Sequence, residues 1–228
     1  MQILKICRKH LYICLLSSAC LLLNIAGQVL AEAVPVKDLD YSNSGAVSAL
    51  KSPQKIEQEA DTLFYKGVDE PNKKLKEAYL AKALAKYMLL LSMQPDNAVF
   101  CTQIGVIHEL NGRKTQAKNY FYRAVNLEKL NPFANYYFGE YYFNIKDYHN
   151  ALKYYKIALQ NGYGSYYEVH NRLATVYEKL GDLQKAKDHY TVSLMVNPNQ
   201  KHLNNKLLLL DKAYYSKKDY VPRQQGAK

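Results

Sequence analysis

No tryptophan occurs in this chain, and cysteine is almost confined to its first twenty residues. The four cysteines are Cys7, Cys14, Cys20 and Cys101. A chain cut after Ala31 keeps Cys101 alone, so it has no intrachain disulfide, and a small disulfide-stapled scaffold is excluded. No sustained alternation of apolar and polar residues marks a strand. The chain also lacks a His-Glu-x-x-His segment, a phosphate-cradling glycine loop and a Gly-x-Ser-x-Gly elbow. What it has in excess is tyrosine, 22 residues of it. An apolar ring with a polar tip suits half-buried positions and contact surfaces.

The N-terminus has the order of an export signal. Lys5, Arg8 and Lys9 precede a mostly apolar run from Leu11 to Ile25, and small residues around Ala31 and Ala33 offer cleavage sites. Residues 1–31 are therefore read as a signal peptide or an uncleaved anchor. Ser17-Ser18-Ala19-Cys20 resembles a bacterial lipobox, so lipidation at Cys20 stays open as an alternative. Residues 32–53 carry Pro35, Ser42, Asn43, Ser44, Gly45 and Pro53, the composition of a linker. The formal charge of +11 falls to +8 when Lys5, Arg8 and Lys9 are removed. That balance favours acidic partners, anionic lipid or a negatively charged wall polymer.

From Gln54 onward the apolar residues recur at helical spacings. Superimposed on them is a longer interval. Ala83, Ala117 and Ala151 are 34 residues apart, and Ala186 follows at 35; Tyr87, Phe121, Tyr155 and Tyr190 keep the same steps, as do Leu90, Ala124, Ala158 and Ser193. In one unit, Ala98 to Asn131, a first helix presents Cys101, Ile104, Gly105 and His108. Asn111-Gly112 ends it, and a second helix presents Ala117, Phe121 and Ala124. Small residues allow close approach of two helices, and Phe121 fills the space beside them. The next unit, from Pro132 to about Ser165, has Lys146 where the previous one has Gly112, and Asn161-Gly162-Tyr163-Gly164 reads as a flexible loop. A fourth unit starts near Tyr167 and turns at Gly181-Asp182. In the first unit Pro71 occupies the centre of the expected first helix, so the amphipathic stretch Gln54–Lys66 supplies that helix roughly eleven residues upstream. Lys201–Tyr215, with Leu203, Leu207, Leu208 and Leu210, is read as a capping helix. Residues 54–215 thus form one repeat domain, followed by a basic disordered tail at 216–228.

The interval and its residues resemble the tetratricopeptide repeat, over about residues 54–200. Ile104-Gly105 and Phe138-Gly139 carry the first-helix signature. Ala117, Phe121 and Ala124, then Ala151, Tyr155 and Ala158, carry that of the second, and Pro95 and Pro198 match its closing proline. The large residue that opens the signature is missing, with Cys101, Asn135 and His170 in its place. The resemblance implies an all-α fold, a right-handed superhelical solenoid of about four helix pairs plus a capping helix, whose first helices line a concave groove. Groove positions then fall on Val99, Thr102, Val106 and Glu109; on Phe133, Tyr136, Glu140 and Phe143; and on Glu168, Asn171, Thr175 and Glu178. Tyr137 and Arg172 are their neighbours. This places an aromatic belt in the third unit, either as hot-spot material for a partner or as packing between units. Some members of the family grip a C-terminal carboxylate with Lys and Asn. Thr102, Val106 and Tyr137 stand there instead, which disfavours that mode.

Histidines 108, 149, 170, 189 and 202 fall at different repeat positions without Cys or His partners at ligand spacing, so no metal site is expected. Lys153-Tyr154-Tyr155-Lys156 spreads around a helix rather than forming a stacking platform, and no nucleic-acid partner is expected. The sequence thus reads as an exported, non-enzymatic scaffold without a cofactor. It binds a protein or peptide in its groove, in a periplasmic or envelope setting such as pilus or secretion-system assembly. The alternative is a basic module on anionic lipid or wall polymer.

Overall fold

The computed structural model describes residues 52–218, with side chains to 213. The expectations for residues 1–31, for nearly all of the linker and for the end of the tail fall outside them. Nine α-helices are described: α1 (Pro53–Asp69), α2 (Lys73–Met93), α3 (Ala98–Leu110), α4 (Lys114–Leu127), α5 (Pro132–Asn144), α6 (Tyr148–Ala158), α7 (Tyr167–Leu180), α8 (Leu183–Val196) and α9 (Lys201–Lys218). No strand occurs among the described residues, and the array is an all-helical solenoid of paired helices. None of the described helices is long and apolar enough to cross a membrane. The chain divides after Leu90 into two compact units.

In the first unit, Ser52 caps α1 by accepting the amide of Lys55 at 3.3 Å, and Pro53 opens it. The helix is the upstream element that the displaced register required. Asn72 caps α2 through contacts to the amides of Lys74 and Leu75 at 3.0 and 3.2 Å. Ala60 and Phe64 of α1 are buried, as are Leu80, Ala83, Tyr87 and Leu90 of α2, and a Cβ on Gly67 of α1 would stand 3.0 Å from the Leu80 side chain. Tyr87 donates its hydroxyl to the buried carboxylate of Asp61, and Lys86 pairs with Glu59 at 2.7 Å.

In the second unit, α3 packs on α4, α5 on α6 and α7 on α8, and each pair stacks on the next. Close approach within a pair depends on missing side-chain atoms. A Cβ on Gly105 would stand 2.8 Å from the Phe121 ring, and one on Gly139 would stand 2.7 Å from the Tyr155 ring. Phe121 and Tyr155 are both fully buried. Cys101 is buried as well, and burial pushes its thiol up.

The turns between paired helices share one geometry. Gly112, Lys146 and Gly181 all have left-handed backbone, with φ of 73°, 63° and 83°. In each the next residue returns its amide to the first helix: Arg113 to His108, Asp147 to Tyr142 and Asp182 to Tyr177, at 2.8–2.9 Å. This closure satisfies carbonyls the helix end leaves open. Lys146 keeps the glycine's conformation without its freedom.

Three expectations are corrected. Asn161 to Gly164 is not a loose loop: Leu159–Tyr163 forms a wide π-type turn after α6, kinked at Asn161 and Gly162, whose backbone is not helical. Tyr163 anchors it by burying against Tyr136, ring centroids 5.5 Å apart. The capping helix also runs on to Lys218, so the predicted tail is helical over its first three residues; lysine is a good helix former. Leu203 and Leu210 cover the buried cluster of Ala174, Tyr177, Ala186 and Tyr190, with Leu207 alongside. Leu208, read as part of that cap, is 56% exposed, because successive residues turn by about 100° around a helix.

Candidate binding face of the first helices

The positions assigned to the groove lie on α3, α5 and α7, and the structure separates them into two classes. Thr102 and Val106 are buried, and the Thr102 hydroxyl is spent on the carbonyl of Ala98 in its own helix, at 2.8 Å. Phe133, Tyr136 and Tyr137 are buried too, at 6%, 1% and 2% exposure. Phe133 meets Tyr137 edge-on at 4.8 Å, and Tyr136 lies among Tyr155, Tyr163 and Tyr137 at 5.4–5.7 Å. The aromatic belt is core rather than open surface, since its rings fill the space between α5, α6 and the π-type turn. Glu109, Phe143, Glu168, Asn171, Arg172, Thr175 and Glu178 remain partly exposed, as does Val99.

Polar contacts tie the first helices to one another. Asn144 of α5 donates to Glu109 of α3 at 2.8 Å. Arg172 of α7 donates through Nε to Oε1 of Glu140 on α5 at 2.7 Å, and its guanidinium lies 5.4 Å from the centre of the Phe143 ring. The same Oε1 accepts the Tyr155 hydroxyl at 2.5 Å. Burial pushes the Tyr136 and Tyr155 phenols well up, and the Glu140 charge adds to this. For Arg172, burial pulls downward, but Glu140, Tyr136 and Tyr155 together outweigh it and hold the guanidinium above its ordinary value. Farther along, Asn171 donates to Gln200 at 2.6 Å, Thr175 shares a hydrogen with Tyr190 at 3.0 Å, and Lys206 pairs with Glu178 at 3.0 Å.

These contacts disclose a rule in the repeat. The second-helix hydroxyls of Tyr155 and Tyr190 meet a polar residue fifteen positions earlier, Glu140 and Thr175. In the α3–α4 pair the equivalent residues are Phe121 and Val106, both buried and both apolar. Tyr87 finds Asp61 instead, twenty-six positions earlier, because α1 is displaced upstream. A ring with a hydroxyl is matched by an acceptor, and a ring without one by a methyl group, as burial requires.

Several participants escape a reading by register alone. Gln103, Asn144, Gln200 and Lys206 are conspicuous only once neighbouring helices are in place. The clearest case is His170 and His189, whose Nδ1 atoms stand 3.1 Å apart. His170 Nε2 is 3.1 Å from the Gly164 carbonyl. A carbonyl only accepts, so that nitrogen carries the proton and His170 Nδ1 accepts from His189 Nδ1–H. Burial, and then His170 itself, push His189 down to about 4; burial also lowers His170. No group of three or more metal-ligating side chains occurs among the described residues.

A tetratricopeptide-repeat family model matches residues 98–129, spanning α3–α4, and another matches residues 167–200, spanning α7–α8. The chain carries tetratricopeptide repeats. The α5–α6 pair between the matched segments keeps the tetratricopeptide register in its Gly139, Ala151, Tyr155 and Ala158. Among solved structures, pilF of Pseudomonas aeruginosa is 20% identical and aligns over 75% of this chain and 74% of its own, with a TM-score of 0.56. A MamA crystal structure is 20% identical over 62% of this chain and 82% of its own, with a TM-score of 0.54. A MamA RS-1 double mutant is 16% identical over 71% and 86%, also at 0.54. At these identities the likeness speaks for the tetratricopeptide fold alone. No curated protein sequence matches the chain.

Proposed function

We propose that the chain is a non-enzymatic scaffold, exported to a bacterial envelope, that holds a protein or peptide segment along the first-helix face of α3, α5 and α7. Tetratricopeptide arrays act as protein-interaction modules, and one observation carries the reading to this face. Most of its partly exposed positions are polar side chains, and several are already fixed in place by contacts between helices, such as Asn144 to Glu109 and Arg172 to Glu140. Fixed side chains lose little entropy when a partner docks. The export part rests on the N-terminal order of charge, apolar run and small residues, and envelope machine assembly is the setting it fits. A photo-crosslinking residue at Phe143 yields adducts with a defined envelope protein, and one at Tyr122, exposed on the second-helix side, does not. Equal adducts from both positions overturn the reading. Sequencing of the mature N-terminus after Ala31 tests the export.

The second reading, docking on anionic lipid or wall polymer, rests on the +11 formal charge. It is supported by salt-sensitive sedimentation with anionic vesicles and overturned by sedimentation indifferent to salt.

A further inference from the structure

The first-helix face has more acceptors than donors. Glu140 is only 2% exposed, and its Oε1 already serves Arg172 and Tyr155. Its other oxygen, Oε2, has no hydrogen-bond partner among the described residues, and neither has the amide oxygen of Gln103, which is 1% exposed. Gln103 occupies on α3 the repeat position that Arg172 occupies on α7. Buried acceptors without donors are uncommon, and each costs roughly 1–3 kcal/mol if nothing fills it.

Charge points the same way. Glu109 is half-buried, and burial raises its carboxyl, against the bond from Asn144 and with the help of Glu140 nearby. Arg172 answers Glu140 and Lys114 acts on Glu109, while the charge of Glu168 also reaches Tyr136, so three acidic side chains of this face meet two cations in a chain that is basic overall. A neutral donor would satisfy the orphan oxygens and leave that charge unbalanced. A cationic donor satisfies both.

We infer that the segment held on this face is cationic, and that a Lys or Arg side chain of it seats at the Glu109–Glu140 carboxylate pair. The inference rests on the peptide-binding reading above and names the partner's chemistry. The incoming cation bonds Glu109 from the open side, with Phe143 and Arg172 as partly exposed neighbours, and its charge answers the buried carboxylate of Glu140.

The full chain is incubated with an array of random peptides in three matched sets: one bearing Lys or Arg, one bearing Asp or Glu, and one bearing neither. The expected result is enrichment of the cationic set. Glu109→Gln, which keeps the acceptor for Asn144, lowers affinity for a bound cationic peptide roughly ten-fold or more, the loss of one charge-assisted bond. Arg172→Gln removes the internal competitor and tightens the same peptide, whereas a merely structural Arg172 would weaken it. Circular dichroism and a melting curve confirm that each variant folds. Preference for acidic peptides, charge-blind binding, or a Glu109→Gln variant with unchanged affinity overturns the inference while the scaffold reading stands. Failure to bind any peptide on the array overturns both.

Discussion

Asp61 is the most costly carboxylate in the first unit. It is 6% exposed, one oxygen accepts the Tyr87 hydroxyl, and the other has no hydrogen-bond partner among the described residues. Burial raises its carboxyl to about 6, against the lowering effect of Tyr87. A folded value above the unfolded 3.8 means that the native state binds the proton more tightly. The associated stability is fully present below pH 3.8 and is lost as pH rises through about 6. Asp61→Asn keeps an acceptor for Tyr87 and carries no charge. It should raise stability by about 1–2 kcal/mol at pH 7, an advantage that disappears below pH 4. Urea unfolding at the two pH values measures the difference. The residue-level pairing behind this was not legible in the sequence, because the fifteen-residue step from tyrosine to partner fails where the first helix is displaced. The apolar positions were legible, because Ala83, Ala117, Ala151 and Ala186 are all fully buried at their repeat interval.

At the scale of the element, the turns and the histidine pair invite substitution. Lys146 holds a left-handed backbone that glycine occupies in the turns at positions 112 and 181. Lys146→Gly relieves a strain of about 1–2 kcal/mol and returns part of it as chain entropy. A net gain of roughly 0.5–1 kcal/mol should appear as a higher Tm, and a lower one would show that the lysine side chain contributes there. The His170–His189 contact joins α7 to α8 and, through Gly164, to the turn before them. Asp188, Lys156, Lys185 and Tyr177 surround it, with the Tyr177 ring stacked on His189 at 5.5 Å. His189 falls to about 4 from 6.5, so the folded state favours the neutral ring. Above pH 6.5 the pair costs nothing; as pH falls toward 4 the unfolded chain takes up protons that the folded one refuses, and stability declines. Partial exposure reduces the effect to about 1–2 kcal/mol. His189→Gln should flatten the pH dependence of the melting temperature between pH 7 and pH 4. Neither the pairing nor the π-type turn was legible in the sequence. Both depend on where Gly162, at a φ of 123°, lets the chain bend, and spacing within a repeat does not encode that.

For the whole molecule, the helix pairs and their boundaries were readable because apolar period and repeat interval agree. The contact surface was not. Register places Phe133, Tyr136 and Tyr137 on the same helix face as Glu109 and Phe143, yet only depth decides which of them a partner can touch. Tyr163, from outside the register, helps to fill that depth. The end of the array makes a further prediction. Leu203 and Leu210 cover Ala174, Tyr177, Ala186 and Tyr190, and a chain ending at Pro198 leaves that cluster bare. Loss of two buried leucines costs about 3–6 kcal/mol. The truncated chain should melt lower and bind a hydrophobic dye, and equal stability would show that α9 is not a cap.

The matching of hydroxyl to acceptor has a consequence for how the repeats find one another. Units that share a backbone and a spacing invite slippage, in which a second helix folds onto the wrong first helix one unit away. Here an exchange between the α3–α4 and α5–α6 pairs is chemically marked. With α6 on α3, the Tyr155 hydroxyl would face Val106. With α4 on α5, Phe121 would leave Glu140 without its tyrosine donor. Each of these two mispairings buries an unanswered polar group, so side chains that look interchangeable by position serve as addresses that tell the α3–α4 pair from its neighbour.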